Sequence, residues 1–140
     1  LILRGMRTLT LRMKRHMKNG IKFALFLENH PKIDKVIYPA LPGHPQYEVG
    51  RRILKGYPGL LCFVPAGGIE KVKKFYYSLQ VPEVGPSWGG FETIMNGPGM
   101  GISRERAEET GIMQGQIRIS VGLESVITLI EDVANALEKI

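Results

Sequence analysis

The chain has 140 residues, 44% of them hydrophobic, and a formal net charge of +6. This length supports one domain with its own core, and no run of about 18 apolar residues occurs, which excludes a transmembrane helix. The only cysteine, Cys62, excludes an internal disulfide and indicates a reducing compartment, so we expect a cytoplasmic protein in which Cys62 is buried in a strand with a raised pKa.

The excess of positive charge lies in the first predicted helix, residues 2–29. Its basic residues recur at helical spacing, with apolar residues on the opposite side, so we predict one long amphipathic helix with a solvated basic face. The basic residues are Arg4, Arg7, Lys14, Arg15, Lys18 and Lys22, and the apolar residues are Met6, Leu9, Met13, Met17, Ala24 and Leu27. Pro31 is predicted to end this helix, and Gly20 to weaken its middle, which makes it a candidate for a bend.

The rest of the chain alternates predicted strands and helices. Strands are predicted at 35–38, 60–65, 81–84 and 117–121, and helices at 46–55, at 69–79, after Ser103, and from 124–125 onward. Loops rich in proline and glycine are predicted at 39–45 and 96–101. We therefore expect an α/β chain of the α+β kind, a two-layer sandwich with helices on one face of a small, mostly antiparallel sheet.

Few residues offer catalytic chemistry. His16, His30 and His44 lack the spacing of metal ligands, so surface or packing roles are predicted, with His16 on the basic helix face. Gly67 and Gly68 open a helix whose free N–H groups suit an anion, although an ordinary turn is the favoured interpretation. No catalytic residue, cofactor-binding residue or metal ligand is assigned.

Arg118 is the strongest candidate for a binding residue. In the strand 117–121, isoleucine and valine occupy the odd positions, so Arg118 and Ser120 project together from the opposite face. A guanidinium held on a rigid strand suits two-pronged capture of a carboxylate. The alternative is an ordinary solvent-facing residue of the sheet.

Two motifs carry a family resemblance. Residues 86–92 read Pro-Ser-Trp-Gly-Gly-Phe-Glu, and residues 116–124 read Gln-Ile-Arg-Ile-Ser-Val-Gly-Leu-Glu. They resemble the substrate-side motifs of the cystathionine synthases and lyases, enzymes of Cys/Met metabolism that depend on pyridoxal phosphate (PLP). The likeness also includes residues 4–9, 11–13, 30–31 and 36–45, and so extends over almost the whole chain.

The resemblance implies that residues 1–140 form a single domain, the C-terminal substrate-binding domain of a fold-type I PLP enzyme. It implies that Ser87 and Arg118 contact the substrate α-carboxylate, and that the first helix joins this domain to a PLP-binding domain. Because the chain does not begin with methionine, we expect a fragment from which that upstream domain is missing. The small amino-acid substrate would be cystathionine or a related sulfur amino acid, and the complete enzyme a homo-oligomer.

Departures from the family pattern leave the activity open. None of the ten lysines follows the family's Ser-x-Thr motif, and the glycine-rich phosphate cup is missing. PLP chemistry requires a Schiff-base lysine, so the chain alone is expected to be inactive. Pro86 and the segment 99–103 also differ from the family, which leaves elimination and replacement both open. The alternatives are a stand-alone amino-acid-binding module and a basic nucleic-acid-binding module, the latter disfavoured by the solvated-face interpretation.

Overall fold

The computed structural model describes residues 1–140 and contains six helices and five strands. The helices are α1 (Ile2–Met6), α2 (Leu9–Glu28), α3 (Tyr47–Ile53), α4 (Ile69–Tyr76), α5 (Arg104–Thr110) and α6 (Val126–Glu138). The strands are β1 (Ile33–Ile37), β2 (Leu60–Pro65), β3 (Glu83–Val84), β4 (Ile94–Asn96) and β5 (Ile117–Ser120). None of the helices is both long and apolar enough to cross a membrane.

The strands form one sheet in the order β1-β2-β5-β4-β3. Every neighbouring pair is antiparallel except β3 and β4, which are parallel. Helices α2, α4 and α6 pack on one face of the sheet, which we call the core face. The predicted α+β two-layer arrangement with a mostly antiparallel sheet is confirmed.

The core face is apolar and aromatic. Phe63 of β2 is fully buried, and its ring meets Phe23 of α2 and Phe75 of α4 edge-on, at centroid distances of 6.4 and 6.0 Å. Helix α6 adds Leu129 and Leu137, which are 1% and 0% exposed. Burial of such side chains drives the helices onto the sheet, at about 1.5–3 kcal/mol for each fully buried residue.

The opposite face of the sheet, which we call the outer face, carries the alternate residues of the same strands. Cys62 of β2, Arg118 of β5 and Asn96 of β4 are direct cross-strand partners and form one row across this face. Ser120 lies in the next row, opposite Leu60 and Ile94. The loop 86–93, rather than a helix, lies against both rows, because its residues bond to Arg118 in the first row and to Ser120 in the second.

The predicted helix over 2–29 is divided in the structure. It forms as α1 and α2, separated at Arg7 and Thr8, because α1 buries no residue and Thr8 makes no side-chain cap. The predicted basic face is exposed as expected, whereas the predicted apolar stripe is only partly right: Ala24 and Leu27 are buried, but Met6 and Leu9 are 59% and 43% exposed.

Helix α2 continues from Leu9 to Glu28 through Gly20, where the sequence indicated a weakened middle. Gly20 lies where α2 packs closely against the chain that leads into β2. A Cβ atom there would lie 2.9 Å from the Cα of Gly59 and 3.2 Å from the hydroxyl of Tyr38. Glycine is required at this position for contact between the helix and the chain that leads into β2.

The other predicted elements agree with the structure to within a few residues, with two exceptions. Strand β3 has only two residues, and β4 was not predicted at all. The last two helices begin as predicted, and serines cap both: Ser103 Oγ accepts from the Arg106 N–H at 3.2 Å, and Ser125 Oγ accepts from the Thr128 N–H at 3.5 Å.

Candidate functional site

Strand β5 fixes the direction of Arg118. Its neighbours Ile117 and Ile119 are 0% and 1% exposed in the core, so strand alternation places the Arg118 side chain on the outer face. The prediction that Arg118 lies on the face opposite Ile117 and Ile119 is therefore confirmed. Arg118 is half-buried, because the loop 86–93 lies beside it.

The guanidinium of Arg118 is held without an acidic partner. Its Nη2 atom donates to the carbonyl oxygens of Pro86 and Ser87 at 2.8 and 3.0 Å. Its central carbon lies 5.7 Å from the centroid of the Trp88 ring, a cation–π distance. All five ion pairs of the chain involve other residues, so this half-buried positive charge has no counter-ion within the chain.

Ser87 lies next to Arg118 in the structure. Only its carbonyl is used, as an acceptor for Arg118, while its hydroxyl forms no hydrogen bond within the chain. A hydroxyl is a neutral donor and a guanidinium a charged one, so the two side chains supply donor types that suit an anion. The structure thus brings together the two predicted site residues, which are 31 positions apart in sequence.

Two polar atoms of the outer face are buried without a partner. They are the Nε of Arg118, a donor, and the Oδ1 of Asn96, the residue directly opposite on β4. Buried polar atoms are normally satisfied, and those that are not often mark a place where a ligand, water or side-chain movement completes the bonding. Asn96 was not predicted as part of the site, because its strand was missed.

Cys62 lies on the other side of Arg118 in the same row. It is half-buried rather than fully buried, a partial correction of the prediction, because the outer face has no helix above it. Burial raises the pKa of the Cys62 thiol, as predicted, while a hydrogen bond with Gln116 and the charge of Arg118 act in the opposite direction. A thiol of this kind is a weak nucleophile near neutral pH.

The histidines lie apart from Arg118. His30 and His44 accept backbone N–H groups two residues along the chain, at 3.2 and 3.1 Å, which agrees with local packing roles. The predicted position of His16 on the basic face is wrong, because His16 is 2% exposed and its Nδ1 lies 2.7 Å from the carbonyl oxygen of Val121. The other predicted alternative, a packing role, is the one that the structure shows.

Gly67 and Gly68 have positive φ angles of 92° and 83° and open α4 without a side-chain cap. They lie at the end of β2 and were the weaker candidates for an anion site. Cavities of about 390 and 570 Å³ lie along β1 and α5 respectively. Neither cavity includes Ser87 or Arg118, so the candidate site rests on its charge and donors rather than on an enclosed volume.

Comparisons with known proteins identify relatives over nearly the whole chain. The family model described as Cys/Met metabolism PLP-dependent enzyme matches residues 1–138. The chain is 38% identical over 143 residues to a cystathionine gamma-lyase of Dictyostelium discoideum, which covers 99% of this chain and 37% of the relative. It is 39% identical over 139 residues to the cystathionine gamma-lyase of Sus scrofa, covering 96% of this chain and 34% of the relative.

A third relative has another activity in its name. It is an L-methionine gamma-lyase of Fusobacterium nucleatum subsp. polymorphum, 38% identical over 143 residues, covering 99% of this chain and 36% of the relative. The chain therefore spans about a third of the length of the curated relatives it matches.

Proposed function

The chain belongs to the family of PLP-dependent enzymes of Cys/Met metabolism, and from that premise we propose that it is the C-terminal, substrate-binding domain of a transsulfuration enzyme. Its ligand is the α-carboxylate of cystathionine or a related sulfur amino acid. Arg118 supplies the charged donors, and Ser87 supplies a hydroxyl donor.

The observation that carries this proposal is the half-buried guanidinium of Arg118, which has no counter-ion within the chain. Burying a charge without a partner is unfavourable, so the arrangement favours an incoming anion. The guanidinium keeps donors beyond those that meet Pro86 and Ser87, and a planar fork matches a carboxylate better than a single point charge would.

The relatives support the choice of ligand. They are named for cystathionine and methionine, both of which are sulfur amino acids with an α-carboxylate. Arg118 and Ser87 recognise the part that all amino acids share. Selection for sulfur and the choice between elimination and replacement depend on groups that meet the side chain of the substrate.

The lysines of the described residues do not fit a PLP aldimine site. Eight are exposed; the other two, Lys32 and Lys73, are half-buried and form ion pairs with Glu138 and Glu70. A Schiff-base lysine is normally held in a desolvated pocket, which none of these occupies. We therefore propose that PLP is bound by a further domain of the complete enzyme. After incubation with PLP and dialysis, this chain should show no stoichiometric aldimine absorbance mapped to one lysine.

The binding proposal is tested with two ligands that differ only in the carboxylate, N-acetyl-L-methionine and N-acetyl-L-methioninamide. Trp88 is the single tryptophan of the chain and contacts Arg118, so its fluorescence reports on the site. The acid should bind in roughly the millimolar range, and the amide at least about tenfold more weakly, because a hydrogen bond to a charged group contributes about 1.5–3 kcal/mol. Equal responses to acid and amide would contradict carboxylate recognition.

A further inference from the structure

The segment that follows β5, residues 121–124, is held by polar side chains of α2. Asn19 donates its Nδ2 to the carbonyl oxygens of Gly122 and Glu124, both at 3.0 Å. His16 lies 2.7 Å from the Val121 carbonyl, and Arg15 donates to Glu124 O at 3.3 Å. Both His16 and Asn19 are 2% exposed, so these bonds form in a dry environment in which their loss is costly.

The Glu124 side chain binds the opposite side, at Thr93. One carboxylate oxygen accepts the backbone N–H of Thr93, and the other accepts its hydroxyl at 2.8 Å. The same hydroxyl oxygen accepts the Gly122 N–H at 2.9 Å. We call this pair of residues the Thr93–Glu124 clasp. Thr93 is fully buried, and a Cβ on Gly122 would lie 2.5 Å from the backbone carbonyl oxygen of Phe91, so the packing admits no side chain there.

The clasp is the far end of a series of contacts between β5 and the loop 86–93. Arg118 donates to the carbonyls of Pro86 and Ser87, and the Gly89 N–H donates to Ser120 Oγ at 2.9 Å. The Leu123 N–H donates to Phe91 O at 2.8 Å. The loop is thus fixed at its beginning by the proposed anion-binding residue and at its end by the clasp.

We infer that Thr93 and Glu124 are positioning residues, which hold the loop so that Ser87 and Trp88 stay against Arg118. They act through the backbone of the loop and need not touch a ligand. The consequence for carboxylate binding rests on the proposed function, whereas the consequence for the position of Trp88 does not. When the clasp is broken, the loop keeps its hydrogen bonds to Arg118, Ser120 and Leu123 and the bond from the Glu83 N–H to the Thr93 carbonyl, and it opens more often.

The chain offers a matched control for this inference. Asp132 of α6 is also a carboxylate that accepts two donors of a distant loop, the backbone N–H groups of Gln80 and Val81, at 3.0–3.1 Å. It contacts no residue of the loop 86–93. Asp132→Asn therefore weakens hydrogen bonds of the same kind at a different place in the chain. It shows whether a general loss of stability is by itself enough to increase the motion of Trp88.

The experiment compares Thr93→Val, Thr93→Ser, Glu124→Gln and Asp132→Asn with the parent chain. Time-resolved fluorescence anisotropy of Trp88 measures local loop motion, and thermal unfolding measures stability. In Thr93→Val and Glu124→Gln, the population of the open loop should rise on the order of tenfold, because the first removes the hydroxyl that donates to the carboxylate and the second removes the negative charge of the acceptor. A fast component should appear in the anisotropy decay. Thr93→Ser keeps the hydroxyl and should restore the parent decay, and Asp132→Asn should leave that decay unchanged.

Binding of N-acetyl-L-methionine is then measured on the same variants. We expect Glu124→Gln to bind about tenfold more weakly than the parent chain, and Thr93→Ser to bind about as well as the parent. If the parent binds no carboxylate, the proposed function fails while the anisotropy still decides the inference. Glu124 is only half-buried, so Glu124→Gln alone decides the matter if Thr93→Val does not fold. The inference is overturned if Glu124→Gln lowers Tm as Asp132→Asn does and leaves the Trp88 decay unchanged.

Discussion

The two faces of the sheet are built from alternate residues of the same strands, yet they are held by different forces. On the core face, Phe63 and Ile119 meet three helices, and burial of apolar surface holds the layers together. On the outer face, Arg118 and Ser120 meet a loop through hydrogen bonds to its backbone. Among the residues of the strands, only Arg118 and Asn96, both on the outer face, keep buried side-chain polar atoms without a partner; the other two such atoms, on His16 and Tyr57, lie outside the sheet. Stability is therefore expected to reside in one face and ligand binding in the other.

The largest expected effect is on the free energy of unfolding. Comparing an aromatic residue of the core face with one beside the outer face tests the contrast. Phe63→Ala should lower the free energy of unfolding by about 3–5 kcal/mol, because it leaves a cavity among Phe23 and Phe75. Trp88, which is 63% exposed, is the matched control, and Trp88→Ala should cost no more than about 1 kcal/mol. Thermal or urea unfolding measures both, and similar losses for the two variants would remove the contrast.

The next effect concerns binding rather than stability. Arg118→Lys keeps the charge but loses the planar fork, so binding of N-acetyl-L-methionine should weaken about tenfold or more. The free energy of unfolding should fall by no more than about 1 kcal/mol, since the residue lies outside the core. Equilibrium titration and unfolding of the same preparation measure both quantities. Unchanged affinity with unchanged stability would reduce Arg118 to an ordinary residue of the sheet surface.

Ser87→Ala should act in the same direction but more weakly. A single neutral hydroxyl contributes about 0.5–1.5 kcal/mol, which corresponds to roughly a two- to thirteenfold loss of affinity. The Arg118 contacts with the loop should persist, because they use the Ser87 carbonyl and not its side chain. Titration of the acid and its amide would show whether the loss is confined to the acid. If the amide weakens equally, Ser87 does not meet the carboxylate.

The smallest expected effect is on the pH dependence of alkylation of the Cys62 thiol. Because burial raises the pKa of its thiol, alkylation by iodoacetamide should be slower than for a free cysteine, with a midpoint above the ordinary thiol pKa. The stability linked to this shift is present below the unfolded-state pKa and is lost as pH rises through the folded-state pKa. Unfolding in urea should restore the ordinary midpoint. A folded-state midpoint at or below the ordinary value would show that the charge of Arg118 outweighs burial.

The contrast between the core face and the outer face also explains which features could be predicted from the sequence. Strand alternation alone assigned Ile117 and Ile119 to one face and Arg118 to the other, since side-chain direction follows directly from the period of two. Strand β4 was missed because its three residues carry no pattern of their own, and pairing of Met95 with Ile119 determines their conformation. Local rules therefore gave the core face and the direction of Arg118.

The residues that support the outer face depend on contacts between distant parts of the chain. His16 was assigned to the basic face of the first helix, although its bond to the Val121 carbonyl buries it. A sequence signal did exist, because His16 and Asn19 share a helical face with Phe23 and Leu27. The contact of Trp88 with Arg118 had no such signal, since the conformation of a glycine-rich loop is set by its partners.

The most direct test of the central claim follows the Nε–H signal of Arg118 by ¹H–¹⁵N NMR. The chain has nine arginines, and the Arg118→Lys variant identifies the signal by its loss. N-acetyl-L-methionine should shift this signal in a saturable manner, whereas N-acetyl-L-methioninamide should not, because the carboxylate supplies the partner that the guanidinium lacks. A signal that stays in place with the acid, or that moves equally with the amide, would contradict a carboxylate site on the outer face.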